Sequence, residues 1–141
     1  MTIVLDAYKT PKKGRVQLHV NRDFTIQVGD EEARKKVNSW LLNEVSYLFG
    51  ALPPTLVIGE EKIVWRVPAV YSLPQIGQVG TIGSVDVDVQ SGAMNISPTL
   101  ITELQNQASE LARHLPPFSD SLTVADEFIP QGVQIHFIPL L

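Results

Sequence analysis

Residues 63–71 read IVWRVPAVY and residues 84–90 read SVDVDVQ, and a glycine-rich segment at residues 73–83 separates them. In the second run, valine alternates strictly with polar side chains, which is typical of a strand with one buried face. The first run also predicts a strand, although Pro68 has no backbone N–H and indicates an edge, a bulge or an interruption. We therefore expect two strands joined by a long hairpin loop.

A second β pattern lies near the N-terminus, where residues 15–20 and 24–28 each alternate between apolar and polar side chains. Residues 21–23 are turn formers, so the two runs predict a β-hairpin. Its apolar side would consist of Val16, Leu18, Val20, Phe24, Ile26 and Val28. Further strands are predicted at residues 2–5, 55–59 and 133–138.

Two amphipathic helices are expected. Asp30 can cap the first helix, whose apolar residues recur at spacings of three and four up to Phe49, a length of about five turns. Gly50 is a natural end point for this helix. Ser97 and Pro98 suit the cap and the first position of the second helix, which extends to residue 115.

The composition fits one folded domain. The chain has 141 residues, of which 44% are hydrophobic and 18% are charged, and single domains most often contain about 100–150 residues. Hairpins dominate the pattern, so we expect a single α+β domain over residues 1–141. The expected architecture is a mainly antiparallel sheet with two amphipathic helices packed on one face.

The chain has no cysteine and a formal net charge of −4. Disulfides, thiolate catalysis and cysteine-ligated metals are therefore excluded, and a broadly basic nucleic-acid-binding protein is disfavoured. The N-terminus lacks the pattern of a signal peptide, and no apolar run is long enough to span a membrane. We expect a cytoplasmic protein without membrane association.

Few residues suggest chemistry. Asp86 and Asp88 share one face of a predicted strand and could bind a cation or perform acid–base catalysis, but such pairs usually form a solvated strand face. The glycine-rich segment lacks the spacing of a dinucleotide-binding motif, and no nucleophile motif occurs. His19, His114 and His136 show no metal-ligand spacing. We therefore expect no catalytic residue, metal or cofactor, and lean against an enzyme.

The glycine-rich segment suggests contacts with other proteins instead. It places apolar side chains on a predicted loop, where exposure would favour partner binding or self-association as a homodimer. Trp65 would be an interface anchor if it were exposed, although its position is typical of a core residue. The candidate interface consists of Trp65, Ile76, Gly77, Val79, Gly80 and Ile82.

Two basic clusters permit another interpretation. One consists of Lys9, Lys12, Lys13 and Arg15, and the other of Arg34, Lys35 and Lys36. Either could contact nucleic acid or an acidic partner, but few aromatic residues accompany them and solvated surfaces are the usual explanation. Nucleic acid is therefore not an expected partner.

Residues 62–67, KIVWRV, and residues 83–94, GSVDVDVQSGAM, resemble PepSY-type modules, in which a helix precedes strands that end in a V-D-x-x-T-G-x-V hairpin. The resemblance covers at most residues 31–96. It implies a non-catalytic module that binds or inhibits other proteins. The preferred hypothesis is a small non-enzymatic binding or regulatory protein that acts through protein–protein contacts. The alternatives are a ligand-binding protein or enzyme that uses Asp86 and Asp88, and a nucleic-acid-associated regulator.

Overall fold

A computed structural model describes residues 2–6 and 11–115. The chain divides into two units, Met1–Leu111 and Ala112–Leu141. The first unit contains almost all of the described residues, so the expectation of one domain over the whole chain stays a prediction. Within the described part of the chain, no helix is long and apolar enough to cross a membrane.

The described chain forms five strands and two α-helices, and a π-helical turn at Leu41–Val45 extends the first helix. The strands are β1 (Ile3–Leu5), β2 (Phe49–Ala51), β3 (Thr55–Ile58), β4 (Ile63–Leu73) and β5 (Gly77–Asp88), and the helices are α1 (Asp30–Trp40) and α2 (Pro98–Arg113).

β4 is the centre of the sheet. It pairs with β5 along one side, and with β3 and then β2 along the other. These pairings are all antiparallel, whereas β1 joins β3 in parallel. The expected class, an α+β domain with a mainly antiparallel sheet, is confirmed.

Pro68 lies inside the sheet and not at an edge. Its neighbours along one side of β4 are the end of β2, where Ala51 pairs with Ala69, and the start of β3, where Thr55 pairs with Arg66. The Pro68 carbonyl still accepts a hydrogen bond from the Leu52 N–H at 3.0 Å. Pro68 therefore lies between the residues of β4 that pair with β2 and those that pair with β3. At this interruption no strand partner needs the N–H that proline lacks.

The core lies between the sheet and the helices. Alternate residues of β4 and β5 are buried, and the indole N–H of Trp65 donates to the Val28 carbonyl at 2.7 Å, so the buried polar group of this side chain is satisfied. The valines at positions 85, 87 and 89 share the buried side, as the alternation predicts. The largest fully buried side chains are Trp65, Leu41, Leu104, Val37, Val67, Val85, Val87 and Val89.

α2 packs closely on β5. The side chain of Leu104 lies over Gly83 and that of Leu111 over Gly80, at distances that leave no comfortable room for a β-carbon at either glycine. At the start of the helix, the Ser97 hydroxyl accepts a hydrogen bond from the Leu100 N–H at 3.1 Å, so the predicted cap is confirmed.

The prediction of a five-turn first helix is wrong. Gly29, and not Asp30, occupies the N-cap position, and the α-helix ends at Trp40, which is only half-buried. After the π-helical turn, Phe49 belongs to β2 and packs its ring edge-on against Tyr71, with the ring centroids 6.1 Å apart. Pairing with β4 buries Phe49 in the sheet, and this tertiary contact overrides the helical periodicity of the local sequence.

The predicted hairpin at residues 15–28 is also absent, because neither run forms a strand. Val16, Leu18 and Val20 are between 45% and 48% exposed, and Ile26 is 41% exposed. This segment is anchored at two places: the Arg22 guanidinium donates to the Gly59 carbonyl, and the N–H groups of Gln27 and Val28 both donate to the Val89 carbonyl. The predicted strand at residues 133–138 lies outside the described residues.

Candidate functional site

The glycine-rich segment is mostly strand, so the predicted long loop at residues 73–83 is wrong. β4 continues to Leu73, a tight turn follows, and β5 begins at Gly77. The turn is closed by the Ile76 N–H, which donates to the Leu73 carbonyl at 3.2 Å. The glycines at positions 80 and 83 allow α2 to pack closely on β5. The local sequence alone does not reveal this contact.

The structure separates the residues of the candidate interface. Trp65 and Ile82 are 1% and 3% exposed and belong to the core, so they cannot contact a partner while the domain stays folded. Val79 is half-buried, and Gly80 faces Leu111. The two residues that stay exposed are Ile76, which is 44% exposed, and Gly77.

The outer edge of β5 is covered at one end. Residues 93–95 run alongside Asp86–Asp88, where the Asn95 N–H donates to the Asp86 carbonyl at 2.9 Å and the Asp88 N–H donates to the Ala93 carbonyl at 3.0 Å. Among the described residues, the rest of β5, from Gly77 to Val85, has β4 as its only strand neighbour. We call this part, residues 77–85, the free edge.

The free edge carries no ionic charge. Residues 67–85 include no aspartate, glutamate, lysine or arginine. Natural sheets commonly protect such edges with lysine, proline or bulges. The only protection of this kind on β5 is two register shifts in its pairing with β4, between Ala69 and Val70 and between Tyr71 and Ser72. Among the described residues, no strand lies on the outer side of the free edge.

A second exposed element is the arm, which we define as residues 11–21. Just before it, the Asp6 N–H donates to the Ile58 carbonyl at 2.9 Å, and just after it the Arg22 guanidinium donates to the Gly59 carbonyl. The chain thus leaves the end of β3 and returns to it. Within the described residues, the backbone of the arm has no hydrogen-bond partner.

The third feature is a depression of about 420 Å³ at one end of the sheet. On one side of it, the Arg66 guanidinium makes two hydrogen bonds to the Asp86 carboxylate, at 3.0 and 3.2 Å. This carboxylate raises the pKa of Arg66. The lining residues are Asp6, Val57, Gly59, Glu60, Lys62, Val64, Arg66, Asp86, Asp88, Ser91, Ala93, Met94 and Asn95.

Asp88 has a structural role in the turn that follows β5. One of its carboxylate oxygens accepts hydrogen bonds from the backbone N–H of Ser91 at 2.9 Å and of Gln90 at 2.8 Å. These bonds lower the pKa of Asp88, because they stabilise the charged form. Asp86 and Asp88 do lie in the same depression, as their shared strand face predicts, but each is already engaged by a group of the protein.

No constellation typical of catalysis forms around these carboxylates. Among the described residues, no three histidine, aspartate or glutamate side chains are grouped to hold a metal ion. Neither His19 nor His114, the two described histidines, lines the depression. One ring nitrogen of His19 lies 3.2 Å from the Gln17 amide nitrogen, His114 is an exposed residue beyond α2, and His136 lies outside the described residues.

We predict that Asp88 contributes stability that acid removes. Its folded-state pKa lies below the ordinary value of 3.8, so the contribution is complete above about pH 4 and is lost as the pH falls through the folded-state pKa. Asp88→Ala should lower the free energy of unfolding by about 0.5–1.5 kcal/mol at pH 7, and by clearly less at pH 2.5. Urea titrations at both pH values measure the difference.

Asp23→Ala is the control for this prediction, because Asp23 is an exposed aspartate with no recorded bond to the turn. The assignment would be wrong if Asp88→Ala lost the same stability at both pH values, or if the control matched it at pH 7.

Sequence reasoning missed three elements of this region. The pairing of Arg66 with Asp86 joins opposite charges on two predicted strands, and knowledge of the strand register would have identified it. The strand-like return of residues 93–95 has no alternation to reveal it. The unpaired state of the arm could not be foreseen, because its local pattern is that of a paired strand.

The chain matches no family model, no curated protein and no solved structure.

Proposed function

We propose that this protein is a non-enzymatic binding protein that acts through protein–protein contacts at the free edge, where an extended segment of the partner adds as a further strand. The observation that carries the proposal is the row of backbone groups at residues 77–85, which has no strand on its outer side within the described residues and no charged side chain to repel one. Strand addition satisfies such groups by main-chain hydrogen bonds.

The free edge is a better candidate than the other end of the sheet. β1 has only three residues and offers few backbone groups. β5 has 12 residues, of which only the last three are flanked by residues 93–95. A longer row of N–H and C=O groups gives an incoming strand more hydrogen bonds and a defined register. The PepSY-like resemblance of residues 31–96, which implies a protein-binding module, agrees with this proposal.

A second candidate function is ligand binding in the depression. The observation in its favour is that Lys62 and Arg66 lie there among four carboxylates, so the site combines both signs of charge. The engagement of Asp86 by Arg66 and of Asp88 by the turn makes it the weaker candidate. Nucleic-acid binding by the arm has only its lysines and arginine in support, against an overall charge of −4.

The proposal can be tested with a photo-crosslinking amino acid at Thr81, an exposed residue of the free edge. In the cells that produce the protein, we expect a discrete adduct between this position and a partner or a second copy. The same amino acid at Ser39, an exposed residue of α1, is the control and should give no such adduct. Adding Gln78→Lys should abolish the adduct, because an edge lysine opposes strand addition.

The proposal would be contradicted if position 81 gave no more adduct than position 39. It would also be contradicted if an adduct persisted unchanged in the presence of the edge lysine.

A further inference from the structure

We infer that the strand received by the free edge is residues 15–20 of a second copy of this chain, lying antiparallel to β5, and that the exchange is reciprocal. The inference rests on the proposed function and adds the identity and direction of the partner strand. Three independent features carry it: an unpaired segment with a strand pattern, an open edge in the same chain, and complementary charge at their ends.

Residues 15–20 have the sequence of a half-buried strand without the environment of one. Apolar and polar side chains alternate through RVQLHV, yet Val16, Leu18 and Val20 are each nearly half exposed. Their backbone groups bond to no described residue, although Arg22, just after the arm, donates to the Gly59 carbonyl. An alternating segment gains most from a sheet that pairs its backbone and covers one of its faces.

The free edge offers such a sheet. Asp86 and Asp88 direct their backbone groups outward to residues 93–95, and strand alternation directs those of Ser84 outward as well. The added strand would lie end to end with residues 93–95 and continue the same row. Since every copy has one arm and one free edge, two copies can exchange both pairings and close into a two-fold symmetric dimer.

Charge decides the direction. The arm is basic at its N-terminal end, at Lys12, Lys13 and Arg15. The free edge has no charged residue, and Asp86 follows it directly in β5. A second depression there, of about 290 Å³, is lined by Asp86 and Glu103 and also by Arg66, which pairs with Asp86, so the net negative charge of this end is that of Glu103. An antiparallel strand places the basic end of the arm at this acidic end, whereas a parallel strand would place it beside the uncharged turn at residues 74–76. Complementary charge favours the antiparallel alignment.

In its own copy, the arm is followed by Arg22, whose guanidinium donates to the Gly59 carbonyl and which lines a depression together with Asp88. The C-terminal end of the arm therefore lies beside the Asp88 end of β5. An antiparallel strand on the free edge needs Val20 near Gly80, which is about 27 Å from Asp88 along β5, whereas the two residues from Val20 to Arg22 span at most about 7 Å. A second copy is therefore the occupant that can bring an antiparallel arm to the free edge.

Sedimentation velocity of the full chain over a wide concentration range provides the first test. We expect the wild-type protein to form a dimer, and its dissociation constant to rise by about tenfold or more in Leu18→Lys and in Thr81→Lys, which place a lysine in the strand pair. Leu42→Lys is the matched control, because Leu42 is 43% exposed against 48% for Leu18 and lies outside both surfaces. The control should dimerise as the wild type does. Added salt should weaken the dimer, because Arg15 and its neighbouring lysines contribute to it.

Disulfide trapping tests the direction of the added strand. The sequence contains no cysteine, so an introduced cysteine is the only thiol of its chain. Gln17 shares a face with Ser84 when Val16 and Leu18 lie on the side of the sheet that α2 covers. A mixture of Gln17→Cys and Ser84→Cys proteins should therefore form an intermolecular disulfide. A mixture of Asn21→Cys and Ser84→Cys proteins should not. Trapping of the second pair in preference to the first would overturn the antiparallel alignment.

The remaining outcomes are decisive as well. Dimerisation of Leu18→Lys with wild-type affinity would overturn the role of the arm while leaving the free edge as the contact. A monomeric wild-type protein would overturn the inference, and so would an intramolecular disulfide in a monomeric Gln17→Cys/Ser84→Cys chain. If the monomeric protein still gave an adduct from position 81 to a different protein, the proposed function would stand. If it gave none, both would fail.

Discussion

Replacing Trp65 by alanine should lower the free energy of unfolding by about 3–5 kcal/mol, which is a large part of the 5–15 kcal/mol that holds a typical domain together. Trp65 is the largest fully buried side chain and is only 1% exposed. Its loss would leave a cavity between the sheet and the helices. It would also leave the Val28 carbonyl without the indole N–H that now donates to it at 2.7 Å.

A second variant separates these two effects. Trp65→Phe keeps an aromatic ring in the core but removes the N–H donor, and we expect it to cost about 1–3 kcal/mol. Tyr47→Ala is the control, because Tyr47 is 58% exposed and its loss should change stability by less than about 0.5 kcal/mol. Urea unfolding followed by circular dichroism measures all three. Equal stability of Trp65→Ala and the wild type would show that this residue is not in the core.

Gly83→Ala should destabilise the domain by about 2–4 kcal/mol for two combined reasons. A β-carbon at Gly83 would lie 2.8 Å from the Leu104 side chain, and Leu104 is 1% exposed, so it has little space into which to turn. The backbone angle φ of Gly83 is +154°, which side chains other than glycine rarely adopt. The packing of α2 on β5 would therefore loosen.

Two other glycines distinguish the steric cost from the backbone cost. Gly77 has a φ of +86° and nothing within 4 Å of its virtual β-carbon, so Gly77→Ala should cost only about 1 kcal/mol of backbone strain. Gly29 has equal space and an ordinary φ of −73°, so Gly29→Ala should cost no more than a few tenths of a kcal/mol. Thermal unfolding should rank the three variants in this order. If Gly83→Ala were no worse than Gly77→Ala, the contact with Leu104 would not be limiting.

The Gly83 variant also bears on the proposed interface. Gly83 lies within the free edge, and α2 packs on the face of β5 at Gly83. A variant that loosens α2 should therefore weaken strand addition as well as stability. Leu18→Lys changes only an exposed residue of the arm, so it should leave stability intact. Comparing the two variants distinguishes a damaged fold from a missing strand.

The elements that could be predicted from the sequence are those whose pattern and environment agree. The alternation at residues 84–90 buries the three valines because they lie on the side of β5 on which α2 packs. The Ser97 cap and the strand at Thr55–Ile58 are set by local chemistry and short-range pairing. In these segments, local preference and tertiary contacts favour the same conformation.

The predictions were wrong where the structure of a segment depends on contacts with residues that are distant in the sequence. The alternation at residues 15–20 requires a partner strand, and the described chain does not provide one. The helical spacing that reaches Phe49 gives way to pairing with Tyr71, and in the sheet the Phe49 side chain is only 5% exposed. The glycines at positions 80 and 83 suggested a loop, whereas they lie in a strand that a helix approaches closely.

The sequence by itself determined the class of fold, the identity of the buried valines and the lack of any cysteine chemistry, because each depends on composition or on short periodicity. Only the tertiary structure decided which strand edge has no neighbour among the described residues, that Arg66 neutralises Asp86, and that Trp65 and Ile82 are core residues. Those properties depend on strand order, register and the side of the sheet that the helices cover, and they arise from pairings between residues far apart in the chain.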